Sequence, residues 1–317
     1  MTEMQTYVRR WLSTSLGVQG PEGTRLASTT GIDAGQSLII AGRHARAARR
    51  WQRDRERLLD DSAITRLAGV TQVLPPPGKH TSRLDHSVEV ADIAMLIADR
   101  LGLSADLAGA IGLAHDCGHM VCGHAGEAVF QQLRPAYSHA KWGADQVLRG
   151  RGYSAEVRSG VRTHSWSEAP CTTPEAEIVR WADRIAYLTS DFADAVELGL
   201  VSDADLPVEI TAIVGATRDE QQQALASAVI SASSRTRRIC AREAEAVALA
   251  RFRHFNSAAI YRHPEVVARN VEGERLVLAA ASELRARGHS WHQVTTSLTQ
   301  MTDAEVSDLV TCATRAA

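Results

Sequence analysis

Lysine is almost missing from this chain of 317 residues. Among 35 basic residues only Lys79 and Lys141 are lysine, and the rest are arginine. Asparagine occurs twice, at Asn256 and Asn270, while alanine is abundant. That skew reads as the coding bias of GC-rich DNA. An excess of either charge is also absent: the formal net charge is −2. A protein whose main task is coating nucleic acid is far more basic. No run of 18 apolar residues occurs, so no transmembrane helix is expected. The opening MTEMQTYVRRWL has no apolar signal core. The expectation is a cytoplasmic protein with no membrane partner. Cysteine is scarce: Cys117, Cys122, Cys171, Cys240 and Cys312. The odd count and the lack of a CxxC pair argue against a disulfide framework and against a cysteine-type zinc site. Alternating strand patterns are missing as well. SLII at 37–40 is the nearest candidate.

What the chain does have is helical periodicity, and the fold class predicted is all-α. Residues 13–37, rich in Ser, Thr and Gly, read as a loose arm. An Arg-rich helical stretch follows at 43–68, and Pro75-Pro76-Pro77-Gly78 breaks the chain. From Leu84 to Leu101 the residues Val90, Ile93, Ile97 and Leu101 form one stripe. His86 lies one turn before Val90 on the same stripe, so it points inward. A second helix at about 105–116 ends in His115-Asp116-Cys117-Gly118-His119. A long helix at about 174–199 has two faces. Ile178, Ala182, Ile185, Phe192 and Val196 make the apolar one; Asp183, Tyr187, Asp191 and Asp194 make the polar one. Residues 200–245 read as helical, and a last helical block runs to the C-terminus.

Four residues stand out as carriers of chemistry: His86, His115, Asp116 and Asp183. Two imidazoles and two carboxylates suit a borderline or hard divalent ion such as Mn, Fe(II), Zn or Mg. Such an ion lowers the pKa of bound water and neutralises phosphoryl charge. Any one of these residues alone reads better as a core histidine or a helix end than as a ligand. The density of the cluster separates the readings: His115, His119 and His124 fall close together, and Glu127 follows.

The chain resembles the HD-domain phosphohydrolases, and among them the deoxyguanosinetriphosphate triphosphohydrolase (dNTP triphosphohydrolase) family. The pattern H…HD…D falls on His86, His115, Asp116 and Asp183. RDRERLLDDSAITRLAGVTQV (53–73), SRLDHSVEV (82–90), HDCGHMVCGHAGE (115–127), EIVRWADRIAYLTSDFADAV (177–196), FRHFNSAAIYRHPEVV (252–267) and MTDAE (301–305) follow the family's blocks in order. The resemblance implies an HD-domain helical bundle with a metal site in its core. It divides the chain into an N-terminal arm (1–42) and one phosphohydrolase domain (43–317). The metal-binding core of that domain lies at about 80–200, and a C-terminal helical block at about 201–317.

Roles follow from the resemblance, residue by residue. His86, His115, Asp116 and Asp183 hold a divalent ion. His124 and Glu127 form a catalytic pair, and their i, i+3 spacing lets the carboxylate orient the imidazole on one helix face. His119 joins them in the cavity. Arg83, Arg184 and Arg253 contact phosphates. Gln72 and Asp191 bind the sugar 3′-hydroxyl, and Tyr187 and Tyr261 pack on the deoxyribose. His139, in YSHAKWGADQVL, and His164, in VRTHSW, match histidines near the pocket. The implied reaction is hydrolysis of a deoxynucleoside triphosphate to a deoxynucleoside and inorganic triphosphate, by a homo-oligomer.

The sequence departs from the family at Val121-Cys122, where Pro-Phe is usual, at Asp85 in place of a small hydroxyl residue, and at Ala140 in place of Asn. Two other functions fit the same residues. One is an HD phosphohydrolase that releases orthophosphate or pyrophosphate. The other is a nucleotide sensor or single-strand binder using the Arg-rich 43–57 segment. Asp54, Glu56, Asp60 and Asp61 break up that positive charge, so a nucleic-acid partner is not favoured.

Overall fold

The computed structural model of the chain describes residues 34–73 and 81–316. Every regular element among them is a helix, and the single strand-like pairing is one antiparallel bridge between Thr71 and Ser82. Helix α1 (Ala34–Leu59) takes in SLII at 37–40 and so removes the best strand candidate. It also begins inside the stretch expected to be a loose arm. No proline interrupts Ala34–Leu59, so nothing in the backbone stops the helix there. The rest of that arm, and the break at Pro75–Gly78, lie outside the described residues. The helical stretch expected at 43–68 is split. Asp61 accepts from the Ala63 N–H and caps the one-turn α2 (Ser62–Thr65), and a 3-10 turn runs to Gly69.

Helix α3 (Arg83–Arg100) starts with a capping box. Asp85 Oδ2 accepts the backbone N–H and the hydroxyl of Ser82 at 2.8 and 2.6 Å. The departure at Asp85 therefore has a local use, because it satisfies donors at the helix start. Helix α4 (Ala105–Ala114) is capped by Ser104 and buried without a break from Leu107 to Ala114. It packs against α1, α3 and the long α8. Helix α5 (Gly123–Leu133) springs from Cys122, which holds a left-handed φ of 58°. Helix α6 (His139–Trp142) passes into a π turn, and α7 (Ala155–Thr163) follows. Pro174 occupies the first turn of α8 (Pro174–Glu197), where its missing N–H costs nothing. Helices α9 (Val208–Val214), α10 (Arg218–Thr236) and α11 (Glu243–Ala259) come next. The described chain closes with α12 (Pro264–Ala286), α13 (Trp291–Leu298) and α14 (Asp303–Ala316).

Two apolar clusters hold these helices. The larger one includes Leu58, Ile97, Ile111, Trp181, Ile185 and Phe252. The smaller one joins Val129 and Phe130 of α5 to Val277, Val294, Leu298 and Val306 of the last three helices. Burial of each such side chain contributes about 1.5–3 kcal/mol. One close approach fixes the site. A Cβ on Gly118 would stand 2.0 Å from the His139 carbonyl oxygen, so only glycine lets the loop after α4 touch α6.

Candidate metal centre and its cavity

Three helices deliver the four expected ligands. His86 lies one turn into α3, His115 and Asp116 follow the end of α4, and Asp183 is on the polar face of α8. His86 Nε2 is 3.1 Å from Asp183 Oδ1. His115 Nε2 is 3.4 Å from Asp116 Oδ1 and 3.8 Å from Asp183 Oδ1. Two atoms that share one ion at about 2.1 Å stand at most about 4.2 Å apart, and all three separations pass. His115 Nδ1 is 2.7 Å from the Gly112 carbonyl oxygen. A carbonyl can only accept, so Nδ1 carries the proton and Nε2 is a bare lone pair. That Nε2 is buried and has no hydrogen-bond partner among the described residues. The donor set and this orphaned nitrogen fit a divalent cation.

The electrostatics agree. Burial pushes the His115 pKa down, and ligation needs the neutral ring. Burial works to raise Asp183, but the His86 hydrogen bond and His115 bring it to about 2. Burial likewise opposes ionisation of Asp116, and His115 with Arg83 outweigh it, holding the carboxyl well below the usual range. Asp116 is the hub of the site. Its Oδ2 accepts from Arg83 Nη1 at 2.5 Å, and Arg83 Nη2 donates to the Gln72 carbonyl at 2.9 Å. Its Oδ1 is 3.4 Å from His119 Nε2, 3.7 Å from His139 Nε2 and 4.0 Å from His164 Nε2.

Glu127 is shared between two histidines. Its short bonds go to His139, from the backbone N–H at 3.1 Å and from Nδ1 at 2.9 Å. His124, the partner expected from the i, i+3 spacing, stands at 3.6 Å with its side chain 63% exposed at the cavity. Burial alone would raise Glu127, but His139 and then His124 draw its pKa far below the carboxylate range. His119 is buried, and burial pushes its ring well toward the neutral form.

His86, Asp116 and Asp183 border a cavity of about 470 Å³. Gln72 and Arg83 line it ahead of and within α3, Arg184, Tyr187 and Asp191 along α8, and Arg253 and Tyr261 from α11 and the turn beyond. His119, His124 and His139 line it too; His115 and Glu127 stand behind the wall. The Tyr261 hydroxyl donates to Asp191 Oδ2 at 2.7 Å. Burial lifts the Asp191 carboxyl to about 7, against the pull of that hydrogen bond.

Three contributors lie inside the motifs quoted above, but nothing in those motifs singled them out. Trp166 lies under the Arg184 guanidinium, 4.6 Å from its ring centre, and its indole N–H donates to the Arg180 carbonyl. Arg66 donates to the carbonyls of Cys117 and His119 at 3.1 and 2.5 Å, and so braces the ligand loop. Asp303 accepts from the N–H and hydroxyl of Thr71 at 3.0 and 2.7 Å, and from the Cys122 N–H at 2.7 Å. It ties the last helix to Gln72's neighbour and to the start of α5. The MTDAE block held Asp303, but no local pattern couples it to residues 181 and 232 positions away.

Residues 83–188 match the HD domain family. The chain is 38% identical over 174 residues to a deoxyguanosinetriphosphate triphosphohydrolase-like protein of Caldanaerobacter subterraneus subsp. tengcongensis, covering 52% of this chain and 51% of that protein. It is 37% identical over 183 residues to a protein of that description from Desulfatibacillum aliphaticivorans, covering 52% of each. A third relative, from Clostridium tetani, is 31% identical over 215 residues, covering 63% of this chain and 60% of the relative. The chain thus spans about half the length of the curated relatives it matches. The matched residues 83–188 include His86, His115, Asp116 and Asp183, and the first three of these form one of the groups that could hold a metal ion. No described helix is long and apolar enough to cross a membrane.

Proposed function

We propose that this chain hydrolyses deoxynucleoside triphosphates to a deoxynucleoside and inorganic triphosphate, with a divalent ion (Mn, Fe(II), Mg or Zn). The observation that carries the reading is convergence: His86, Asp116, Asp183, His124 and the buried Arg83 and Arg184 border one cavity, with His115 and Glu127 directly behind its wall. The names of the relatives point to the same reaction.

An ion held by His86, His115, Asp116 and Asp183 would supply Lewis-acid chemistry, activating water and offsetting phosphate charge. The protein's own residues do the rest. Arg83, fixed by Asp116 and the Gln72 carbonyl, presents its guanidinium to the triphosphate; Arg184, backed by Trp166, presents a second, and Arg253 a third. The oxygen of water, giving up one proton, bonds to the α-phosphorus; the bond from that phosphorus to the 5′ oxygen breaks, and the departing oxygen takes up a proton, so one proton is lost and one gained. His124 is placed at the cavity to deliver it, with Glu127 balancing the imidazolium and His119 at its edge, the ring centres 4.9 Å apart. Tyr187 and Tyr261 pack on the sugar, while Gln72 and Asp191 take its 3′-hydroxyl. Rings against C2′ leave neither room nor partner for a 2′-hydroxyl, so ribonucleotides are rejected.

The test is product analysis by ion-exchange chromatography, with each dNTP singly and mixed and with ATP and GTP as controls. Deoxynucleoside with intact triphosphate is expected from dNTPs alone. Orthophosphate or pyrophosphate would replace this reaction with a stepwise one. No product with Mn, Fe(II) or Mg would overturn the reading.

A further inference from the structure

Helix α12 turns one face into the protein. Val266, Asn270, Gly273 and Val277 follow one another at i, i+4, i+7 and i+11, the spacing of a buried stripe. Val266 and Val277 are buried, one in each apolar cluster. Gly273 lies flat against the start of α5: a Cβ there would stand 3.2 Å from Cys122 Cβ and 3.4 Å from Ala125 Cβ. Asn270, on the same stripe, is a half-buried amide that faces the cavity. It has no hydrogen-bond partner among the described residues.

The rest of the cavity wall shows what this amide faces. In the reading above, the metal ligands with Arg83, Arg184 and Arg253 serve the phosphates. Gln72, Tyr187, Asp191 and Tyr261 serve the sugar. The wall around Trp166 belongs with the phosphates, because the Arg184 guanidinium lies on its ring, and Ser165 and Ser167 bond each other. What is left is one patch made of Thr71, Val73, Cys122, Ala125, Val266 and Asn270. Its parts adjoin. Asp303 bridges Thr71 to Cys122, and α12 touches Cys122 and Ala125. Thr71 and Val73 flank the sugar contact Gln72, and Val266 sits in the first turn of α12, just past Tyr261. The Thr71 hydroxyl is taken by Asp303 at 2.7 Å. Asn270 is then the side chain of this patch with both a donor and an acceptor to offer.

Small apolar groups with one uncharged amide, next to the sugar, suit a flat heteroaromatic ring better than a phosphate. An amide sets a donor beside an acceptor, and each of the four DNA bases has an edge where a donor lies beside an acceptor. We propose that Asn270 reads the nucleobase, its amide making two hydrogen bonds to that edge while Val73, Val266 and Ala125 flank the ring. This assignment rests on the dNTP reading above and names the residue that recognises the base.

The test compares kcat/KM for dATP, dGTP, dCTP and dTTP in the Mn-loaded full chain, for the wild type, Asn270→Leu and Asn270→Asp. Inhibition by inorganic triphosphate is measured alongside. Leucine is close in size and offers no hydrogen bond, so Asn270→Leu should lower kcat/KM for the dNTPs by about 10–100-fold and leave triphosphate inhibition unchanged. Aspartate only accepts. Guanine alone presents two adjacent donors, N1–H and the 2-amino group, so in Asn270→Asp the preference for dGTP over the other three should rise about 10-fold. The ratio is read because the added charge opposes the triphosphate of every substrate alike. An active wild type with no change in Asn270→Leu, or unaltered base ratios in Asn270→Asp, overturns the assignment and leaves the dNTP reading standing. Triphosphate inhibition lost in step with kcat/KM would overturn it too, as the mark of a phosphate contact. No turnover of any dNTP by the wild type would sink the dNTP reading, and this assignment with it. Should Asn270→Leu fail to fold, the base ratios of Asn270→Asp decide.

Discussion

The metal quartet and the His124–Glu127 pair serve the same cavity but stand on different foundations. His86, His115 and Asp183 sit on or at the end of α3, α4 and α8, whose apolar faces interlock around Ile97, Ile111 and Ile185 in the larger cluster. His124 and Glu127 ride on α5, which packs into the smaller cluster with α12. The start of α5 hangs from Asp303 through the left-handed Cys122. Ligand positions are thus a by-product of the packing of the larger core. The position of the pair depends on a tertiary clamp made of hydrogen bonds. The two sides should fail separately, and substitutions can show whether they do.

The largest effect is expected at Asp116, which touches both sides. Asp116→Asn removes a ligand charge and frees Arg83. It should lose bound metal and lower turnover by more than about 100-fold, the upper range seen for outer-shell partners alone. Metal content and activity on the same preparation check this; full metal with full activity would break the comparison at its centre.

Asp303→Ala should act on one side only. Three hydrogen bonds disappear, for a stability loss of roughly 3 kcal/mol. Turnover should fall on the order of 100-fold, because a shift of about 1 Å in a catalytic group costs that much. Metal content should stay at the wild-type level. Metal lost in proportion to turnover would show that the two sides are one unit.

The smallest effect concerns the wall that both sides share. In metal-free protein the Asp191 carboxyl keeps its proton up to about 7, whereas an unfolded aspartate releases it near about 4. Between those values the folded state binds more protons than the unfolded one. Stability therefore falls as pH rises through that window, by up to about 1.4 kcal/mol per pH unit. Asp191→Asn lacks the titrating group. Its denaturation midpoints should change less with pH across the same window; parallel curves would contradict the burial-raised carboxyl.

The same contrast explains what could be read from the residues alone. Val90, Ile93 and Ile97 gave away α3 by their period, and all three are buried. The apolar face of α8 was legible for the same reason, and with it the placement of Asp183 and Asp191 on the other face. The SLII segment was the nearest strand candidate, but a serine and three apolar residues carry no period, and helix α1 absorbed it. Contacts set by long-range packing were not legible. Asp303 reaches Cys122 across 181 positions. Glu127 finds His139 at 2.9 Å because Gly118 lets α6 close on the loop, and no i, i+3 rule contains that fact. Trp166 reached Arg184 the same way, from a loop with no pattern of its own.

His124→Ala tests the division most directly, because the imidazole belongs to the pair and not to the ligand quartet. Manganese content and dNTP turnover should be measured on one preparation. Wild-type metal with turnover lowered by about 10²–10⁴-fold is the expected result. Metal and turnover lost together, or turnover left intact, would contradict the separate roles of the two sides.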